Sequence, residues 1–417
     1  MTIIIDKPQS SIEKTNIAKI APGSGAQSAV AVESTAKEEE KPLAKPLVKA
    51  RLKSLDALRG FDMFWILGGE AIFAALLLIS GWAGFKWLDG QMHHSVWHGF
   101  TFYDLIFPLF IFLSGVALGL SPKRLDKLPL PQRMPLYQHA IKRLFLLLLF
   151  GVIYNHGWGT GAPFALGEVR YASVLGRIAF AWFFCALLVW HTSLRTQIVT
   201  AIVILVGYAL LQTFPFMTLD NSGAFSATGS INAAVDTLLL PGITYQNAAV
   251  DPEGILSTIP AVVNGLFGVF VGHFIVKPQV KGEWFKVAIL ALSGLGLLLL
   301  GWAVSPWNPV NKTLWTSSFT LVTSGWSILF LALFYSIIDV LKVQRWAFFF
   351  TVIGCNSIVI YIASSIVNWK YTATSLFGAG ISSLPNHVQA LGSVIALLLV
   401  QWLVLYWMYK RNIFIKV

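Results

Sequence analysis

Apolar residues recur along the chain in runs approaching twenty, the length that crosses a hydrocarbon layer about 30 Å thick at 1.5 Å per residue. Ten such runs follow one another from Leu58 onward, near 58–80, 101–120, 141–157, 172–191, 196–216, 256–276, 285–304, 316–338, 346–366 and 389–409. The third is short, bounded by Gly151 and His156. Strands of an outer-membrane barrel alternate over segments of about ten residues. The pattern therefore predicts an all-α, polytopic transmembrane helical bundle of about ten spans. Between the fifth and sixth runs, the Ala/Ser/Asn/Gly-rich stretch 217–255 holds an apolar patch around Val235 to Leu240, which is too brief to span and predicts a short re-entrant piece.

The first 48 residues differ in kind: they are rich in Ala, Ser, Lys, Glu and Pro and carry no periodic apolar face, so residues 1–48 read as a disordered cytoplasmic tail ahead of a membrane domain over 49–417. A secretory signal needs an apolar core of about 7–15 residues near the N-terminus, and none precedes Leu58.

Composition agrees with the pattern. Of 417 residues, 56% are hydrophobic and 12% charged, against about a quarter charged in soluble domains, and the mean hydropathy is +0.69. A water-soluble enzyme is excluded. The 30 Lys+Arg against 19 Asp+Glu give a net charge of +11, and their positions explain the excess. Arg51, Lys53 and Arg59 precede the first span, while Lys123, Arg124, Lys127, Arg133, Lys142 and Arg143 join the second and third. Further Lys and Arg join spans four to five, six to seven and eight to nine, and follow the tenth; the alternate loops offer only Lys86, Arg170, Lys312 and Lys370. By the positive-inside rule both termini are expected in the cytoplasm, the bilayer is the partner the charge serves, and nucleic acid is not needed. Tryptophans 82, 87, 97, 158, 302, 307 and 315 fit an aromatic belt at the interface. Cys185 and Cys355 lie in apolar runs and read as small core hydrophobes.

Polar groups inside apolar runs are costly and mark candidate chemistry. Asp62 and Glu70, eight apart in span one, would lie about 80° apart around an unbroken helix. Asp62 is within pairing reach of Arg59, whereas Glu70 has no local partner. The segment from His94 to Asp104 sets two imidazoles, a hydroxyl and a carboxylate at the start of span two. A buried carboxylate can orient an imidazole that acts as base; the plain reading is a helix start capped by Thr101 beside a solvated histidine. His93, His94 and His98 lack further ligands, so no metal is expected. Arg170 and Arg177, seven apart, fall near one face of span four and must meet carboxylate, phosphate or water; Asp104 and Glu70 are candidate partners. Lys123 and Arg124 belong to a basic cluster suited to anionic headgroups or a nucleotide phosphate, although positive-inside bias alone produces such clusters.

Six blocks in order carry a resemblance: SLDALRGFDMFWILGGE, HSVWHGFTFYDLIFPLFIFLSGVALGLS, RYASVLGRIAFAWF, DPEGILSTIPAVVNGLFGVFVG, NPVNKTLWTSSFTLVTSGW and CNSIVIYIA. From about Ser54 to Ala363 the chain resembles the transmembrane heparan-alpha-glucosaminide N-acetyltransferase family and its bacterial relatives. The resemblance implies acetyl transfer from cytosolic acetyl-CoA to the amine of a terminal glucosamine across the membrane. It puts His94 on the family's active-site histidine and Asp104 on the acid of the following run. Asp251 and Glu253 match a DPEG block, and Asn311 and Lys312 an NK-x-LW block. Glu70 stands where the mammalian enzyme has an asparagine implicated beside the histidine, and it is a third candidate catalytic group that can raise the basicity of His94. The short tail stands in place of a large lumenal domain, which favours a small amino sugar or an envelope glycan over heparan sulfate.

The mechanism expected is a bundle tunnel that holds acetyl-CoA, phosphates at the basic loops and thioester near His94, with His94 as general base or as nucleophile. Arg177 or Asn264 would hold the substrate or pantetheine carbonyl. An amino-sugar transporter that keeps the fold without the transfer chemistry, using Glu70, Asp104 and His94 as a proton relay, is the alternative. A bacterial inner membrane is the expected location, and a homodimer is one assembly open to the chain.

Overall fold

Each apolar run closes its own backbone hydrogen bonds as a helix, because lipid offers none. The structure is a computed structural model that describes residues 2–3, 52–121, 124–126, 128–156, 165–278 and 281–416. Fifteen α-helices make up the described residues: α1 Lys53–Phe64, α2 Ala71–Ser80, α3 Ala83–Gln91, α4 Phe102–Gly119, α5 Leu130–His156, α6 Val174–His191, α7 Leu194–Thr213, α8 Ile231–Leu239, α9 Ile255–Val276, α10 Glu283–Val304, α11 Ser317–Phe334, α12 Ala347–Cys355, α13 Ser357–Ile366, α14 Trp369–Ser382 and α15 Asn386–Lys410. Among the described residues, strand pairing comes down to a two-residue ladder of Thr2–Ile3 with Ile415–Lys416 and an isolated bridge between Arg170 and Gly242. The tail expected over residues 1–48 lies almost wholly outside the described residues, as does Lys123.

Among the described residues eight helices are long and apolar enough to cross a membrane, and two bent pairs, each taken as one span, raise the number to ten. The bent pairs are the first and ninth expected spans: α1 continues through a widened turn, Trp65–Gly69, before α2 departs at 58°, and α12 meets α13 at 69°. The first break sits at Gly68, whose φ of 120° suits a residue without a Cβ. It also removes the 80° relation expected between Asp62 and Glu70, since no single helix joins them. Asp62 is fully buried, and Arg59 faces Asp56 at 4.0 Å rather than Asp62. The second break, at Asn356, is closed by the chain itself. Asn356 Nδ2 donates to the Ile413 carbonyl at 2.9 Å and its Oδ1 accepts from Ile415 N at 3.0 Å, so its side chain ties the break to the segment after α15.

Helices α4, α6, α9 and α11 are mostly buried, whereas α5, α7, α10 and α15 present most of their apolar side chains outward. Without a hydrophobic drive in lipid, the inner helices associate by close packing and side-chain hydrogen bonds. Helices α4 and α9 pass so closely that a Cβ at Gly268 would collide with the Phe112 carbonyl, and α1 and α12 meet likewise at Gly354. On α11, Ser318, Thr320, Thr323, Ser324 and Ser327 are all buried. The apolar patch near Val235 is the nine-residue α8, too short to span and packed on α9.

Candidate active site

The loops between alternate helices are stitched together at one end of the bundle. Gly99 N donates to the Val310 carbonyl at 2.8 Å, the Trp97 indole to Phe225 O at 2.9 Å, and Tyr208 Oη to Leu314 O at 2.8 Å. Into this end project His94, Asp104, Lys312, Arg170, Asp251 and Glu253.

Asp104 is held by the start of α4. Thr101 and Asp104 form a capping box: Asp104 Oδ2 accepts from Thr101 N at 3.1 Å, from Thr101 Oγ1 at 3.1 Å and from Ser95 N at 3.2 Å. Its other oxygen, Oδ1, lies 2.8 Å from His94 Nδ1. The acid is fully buried and the imidazole about half exposed. A carboxylate only accepts, so Nδ1 carries the proton and Nε2 is left as the acceptor. Lys312 Nζ stands 2.9 Å from that Nε2, 3.0 Å from Nδ1 and 3.8 Å from Asp104 Oδ1. Desolvation draws the Lys312 ammonium below the ordinary lysine value, with the Asp104 and Glu253 charges pushing it back up. The Tyr103 ring closes one side, its centroid 4.8 Å from that of His94. Glu70, expected to adjust His94, makes no hydrogen bond to it among the described residues; the carboxylate that does so is Asp104.

A second cluster lies beside this one. Arg170 donates from Nε to Asp251 Oδ2 at 3.0 Å and from Nη2 to Asp251 Oδ1 at 2.7 Å and Glu253 Oε2 at 2.5 Å. Burial lowers the Arg170 pKa, but these two carboxylates outweigh it and the net shift is upward. Asp251 is further committed to Tyr245 N at 2.7 Å and Glu253 N at 2.8 Å. The three residues expected to bind substrate thus bind one another and fix the loop before α9. Sequence reading missed Asp236 of α8, which accepts from Asp251 N at 3.1 Å and Ile255 N at 2.9 Å and has its pKa pushed up to about 6 by burial. A lone carboxylate within the short apolar helix was the available signal.

Arg177 pairs with neither Asp104 nor Glu70. Its Nη2 donates to Ser257 Oγ and, at 3.4 Å, to Gly254 O, and the guanidinium lies 4.6 Å from the Trp315 ring centroid. The residue is 1% exposed, and its Nε and Nη1 have no hydrogen-bond partner among the described residues. Asn264 is fully buried with its amide committed: Nδ2 donates to Ser324 Oγ at 2.8 Å and Thr323 Oγ1 at 3.1 Å, and Oδ1 accepts the Trp315 indole at 2.9 Å. Asn311 shapes its loop, donating to Trp97 O at 2.8 Å and accepting from Leu314 N at 2.8 Å. Arg124 closes its fork on the neighbouring Asp126 at 2.9 and 2.6 Å. Among the described residues no group of three or more His, Cys, Asp or Glu is placed to hold a metal ion.

Fold and geometry define a multi-span helical membrane protein with a histidine, a buried carboxylate and a lysine gathered at one end of its bundle. No family profile matches the chain. It is similar to the heparan-alpha-glucosaminide N-acetyltransferase of Mus musculus, 26% identical over 420 residues that cover 88% of this chain and 62% of that protein. It is also similar to the heparan-alpha-glucosaminide N-acetyltransferase of Homo sapiens, 25% identical over 417 residues, 88% of this chain and 60% of the relative. The chain spans about three-fifths of the length of these curated relatives.

Proposed function

We propose that the chain is an integral-membrane acetyltransferase that moves the acetyl group of acetyl-CoA to the amine of a glucosamine-type sugar or envelope glycan. In this reading the protein sits in a bacterial inner membrane with both termini cytoplasmic, CoA is supplied from the cytoplasmic face, and the His94 end faces the periplasm. The observation that carries the proposal is the 2.8 Å contact between His94 Nδ1 and Asp104 Oδ1, which fixes the ring with Nε2 as its accepting nitrogen, facing Lys312 Nζ at 2.9 Å. The similarity to N-acetyltransferases over 88% of the chain supports the same chemistry.

His94 Nε2 takes a proton from the substrate amine as its nitrogen attacks the thioester carbonyl. A C–N bond forms, the tetrahedral intermediate collapses with loss of the C–S bond, and the departing thiolate takes the proton back. Starting from an ammonium, the sum is one amide, one free CoA thiol and one released proton. The Lys312 ammonium and the unpartnered Nε and Nη1 of Arg177 suit the oxyanion of that intermediate, because fixed donors in a dry site stabilise charge as it develops. Asp104 positions His94, and the Arg170, Asp251 and Glu253 knot fixes the loop before α9, whose first turn sets Ser257 against Arg177.

The test is CoA release by purified protein given acetyl-CoA with and without glucosamine, beside His94→Ala. Release that needs the sugar and is lost in the variant is expected; acetyl-CoA that binds but is never cleaved with any amino sugar refutes the reading. The two broken spans favour one alternative, passage of an amino sugar, since discontinuous helices line substrate sites in transporters. That alternative predicts sugar accumulation in vesicles without thioester cleavage.

A further inference from the structure

The two breaks in the spans are treated differently by the fold. At Asn356 the break is tied by its side-chain amide to the chain's own C-terminal segment, at 2.9 and 3.0 Å. At Gly68 the break opens instead on a cavity of about 480 Å³. One wall is the break itself, with Gly68 and Glu70; the second is α14, with Lys370 and Thr374; the third is α15, with Ser393. Glu70 Oε2 is buried and has no hydrogen-bond partner among the described residues.

We propose that this cavity is the acceptor site, and that it takes a small amino sugar whose ammonium group pairs with Glu70. The term acceptor rests on the acetyl-transfer reading; the binding does not. A carboxylate facing a cavity within an apolar bundle is costly unless a cation or several donors meet it, so a lipid tail is a poor occupant. An ammonium supplies both the charge and the donors. Thr374, Ser393 and Lys370, which also line the cavity, offer donors to the ring oxygens, and the Lys370 charge acts on Glu70 as well. The volume falls in the range of small-molecule sites. Tyr103, whose ring centroid lies 4.8 Å from that of His94, is close enough to Glu70 for their charges to interact.

The experiment uses the full chain in lipid nanodiscs without acetyl-CoA, so that it reads binding and not turnover. Glucosamine is titrated by calorimetry against N-acetylglucosamine, which keeps the ring and loses the ammonium. Wild type is expected to prefer glucosamine by about 10- to 100-fold, the range of one hydrogen bond to a charged group. Glu70→Gln should erase the preference with the melting temperature unchanged. In Thr374→Cys, saturating glucosamine should slow thiol labelling, with wild type as the background for Cys185 and Cys355. No glucosamine binding, an unchanged preference in Glu70→Gln, or a labelling rate indifferent to the sugar overturns the proposal. Binding at Glu70 in a protein that never releases CoA would instead remove the acetyl-transfer reading and leave the site standing.

Discussion

Asp104→Asn separates positioning from capping within one side chain. Oδ2 accepts three hydrogen bonds, from Ser95 N, Thr101 N and Thr101 Oγ1, while Oδ1 faces His94 Nδ1. In asparagine the single oxygen must stay at the Oδ2 position, because three donors converge there. The amide NH₂ then faces Nδ1, which is forced to accept, and the ring proton moves to Nε2. That nitrogen can no longer take a proton from the amine, and it also sets an N–H against the Lys312 ammonium 2.9 Å away.

The same amidation in a Ser-His-Asp triad lowers kcat about 10⁴-fold, equivalent to about 5.5 kcal/mol of barrier. His94 is 49% exposed and has room to turn, so the floor is the loss of general-base assistance alone, about 100-fold. The expected result in the CoA-release assay is a kcat reduced between these bounds, with KM for acetyl-CoA unchanged. The helix cap survives, so the melting temperature should hold, whereas Asp104→Ala also loses about 1 kcal/mol of capping. Asp104→Asn with kcat within about threefold of wild type, far below that floor, would refute the argument and leave Asp104 as a cap only.

Arg170→Met leaves Asp251 and Glu253 buried without their cation, and thermal unfolding in detergent should show a loss of about 3–5 kcal/mol, with part regained when Asp251→Asn is added. Gly354→Val sets a side chain against the Asp56 carbonyl of α1 and should reduce monodisperse yield on size exclusion, while Gly296→Val, open on its side of α10, should not. Asp236 has a folded-state pKa of about 6, above the ordinary 3.8. Its contribution to stability is therefore full below the lower value and lost as pH rises through the higher one, a difference worth about 3 kcal/mol. The pH slope of stability over that window should flatten in Asp236→Asn, and an unchanged slope would contradict the assignment.

The spans were legible because each run is long and apolar, and the His94–Asp104 pair because ten residues and a T-x-x-D helix start bring the two together. Gly68 was not legible as a break: the apolar run continues through WILGGEAIF, and hydropathy does not register a change of backbone path. Arg177 was expected to meet carboxylate, phosphate or water, with Asp104 and Glu70 as candidate partners, but its partner Ser257 lies 80 positions away and is set by how α6 packs on α9. The approach of Lys312 to His94, across 218 positions, had no local signature and entered only through the NK-x-LW block. Local chemistry was readable, and contacts between distant loops were not.

Trp315 ties these distant contacts together. It is fully buried with φ of 49°, a left-handed conformation that costs a bulky residue about 1–3 kcal/mol unless its surroundings fix it. Trp315 N donates to Lys312 O at 3.1 Å and Thr316 N to Asn311 O at 3.2 Å, so the strained residue closes the turn from which Lys312 reaches His94. Asn264 holds the indole at 2.9 Å and thereby holds the turn. On this account Asn264, deep in α9, acts through Trp315 rather than on a bound carbonyl. Asn264→Leu should then slow CoA release by the same route as Lys312→Met, and the double variant should be no slower than Lys312→Met alone. Rates that instead multiply would mean that Asn264 reaches the substrate by a path of its own.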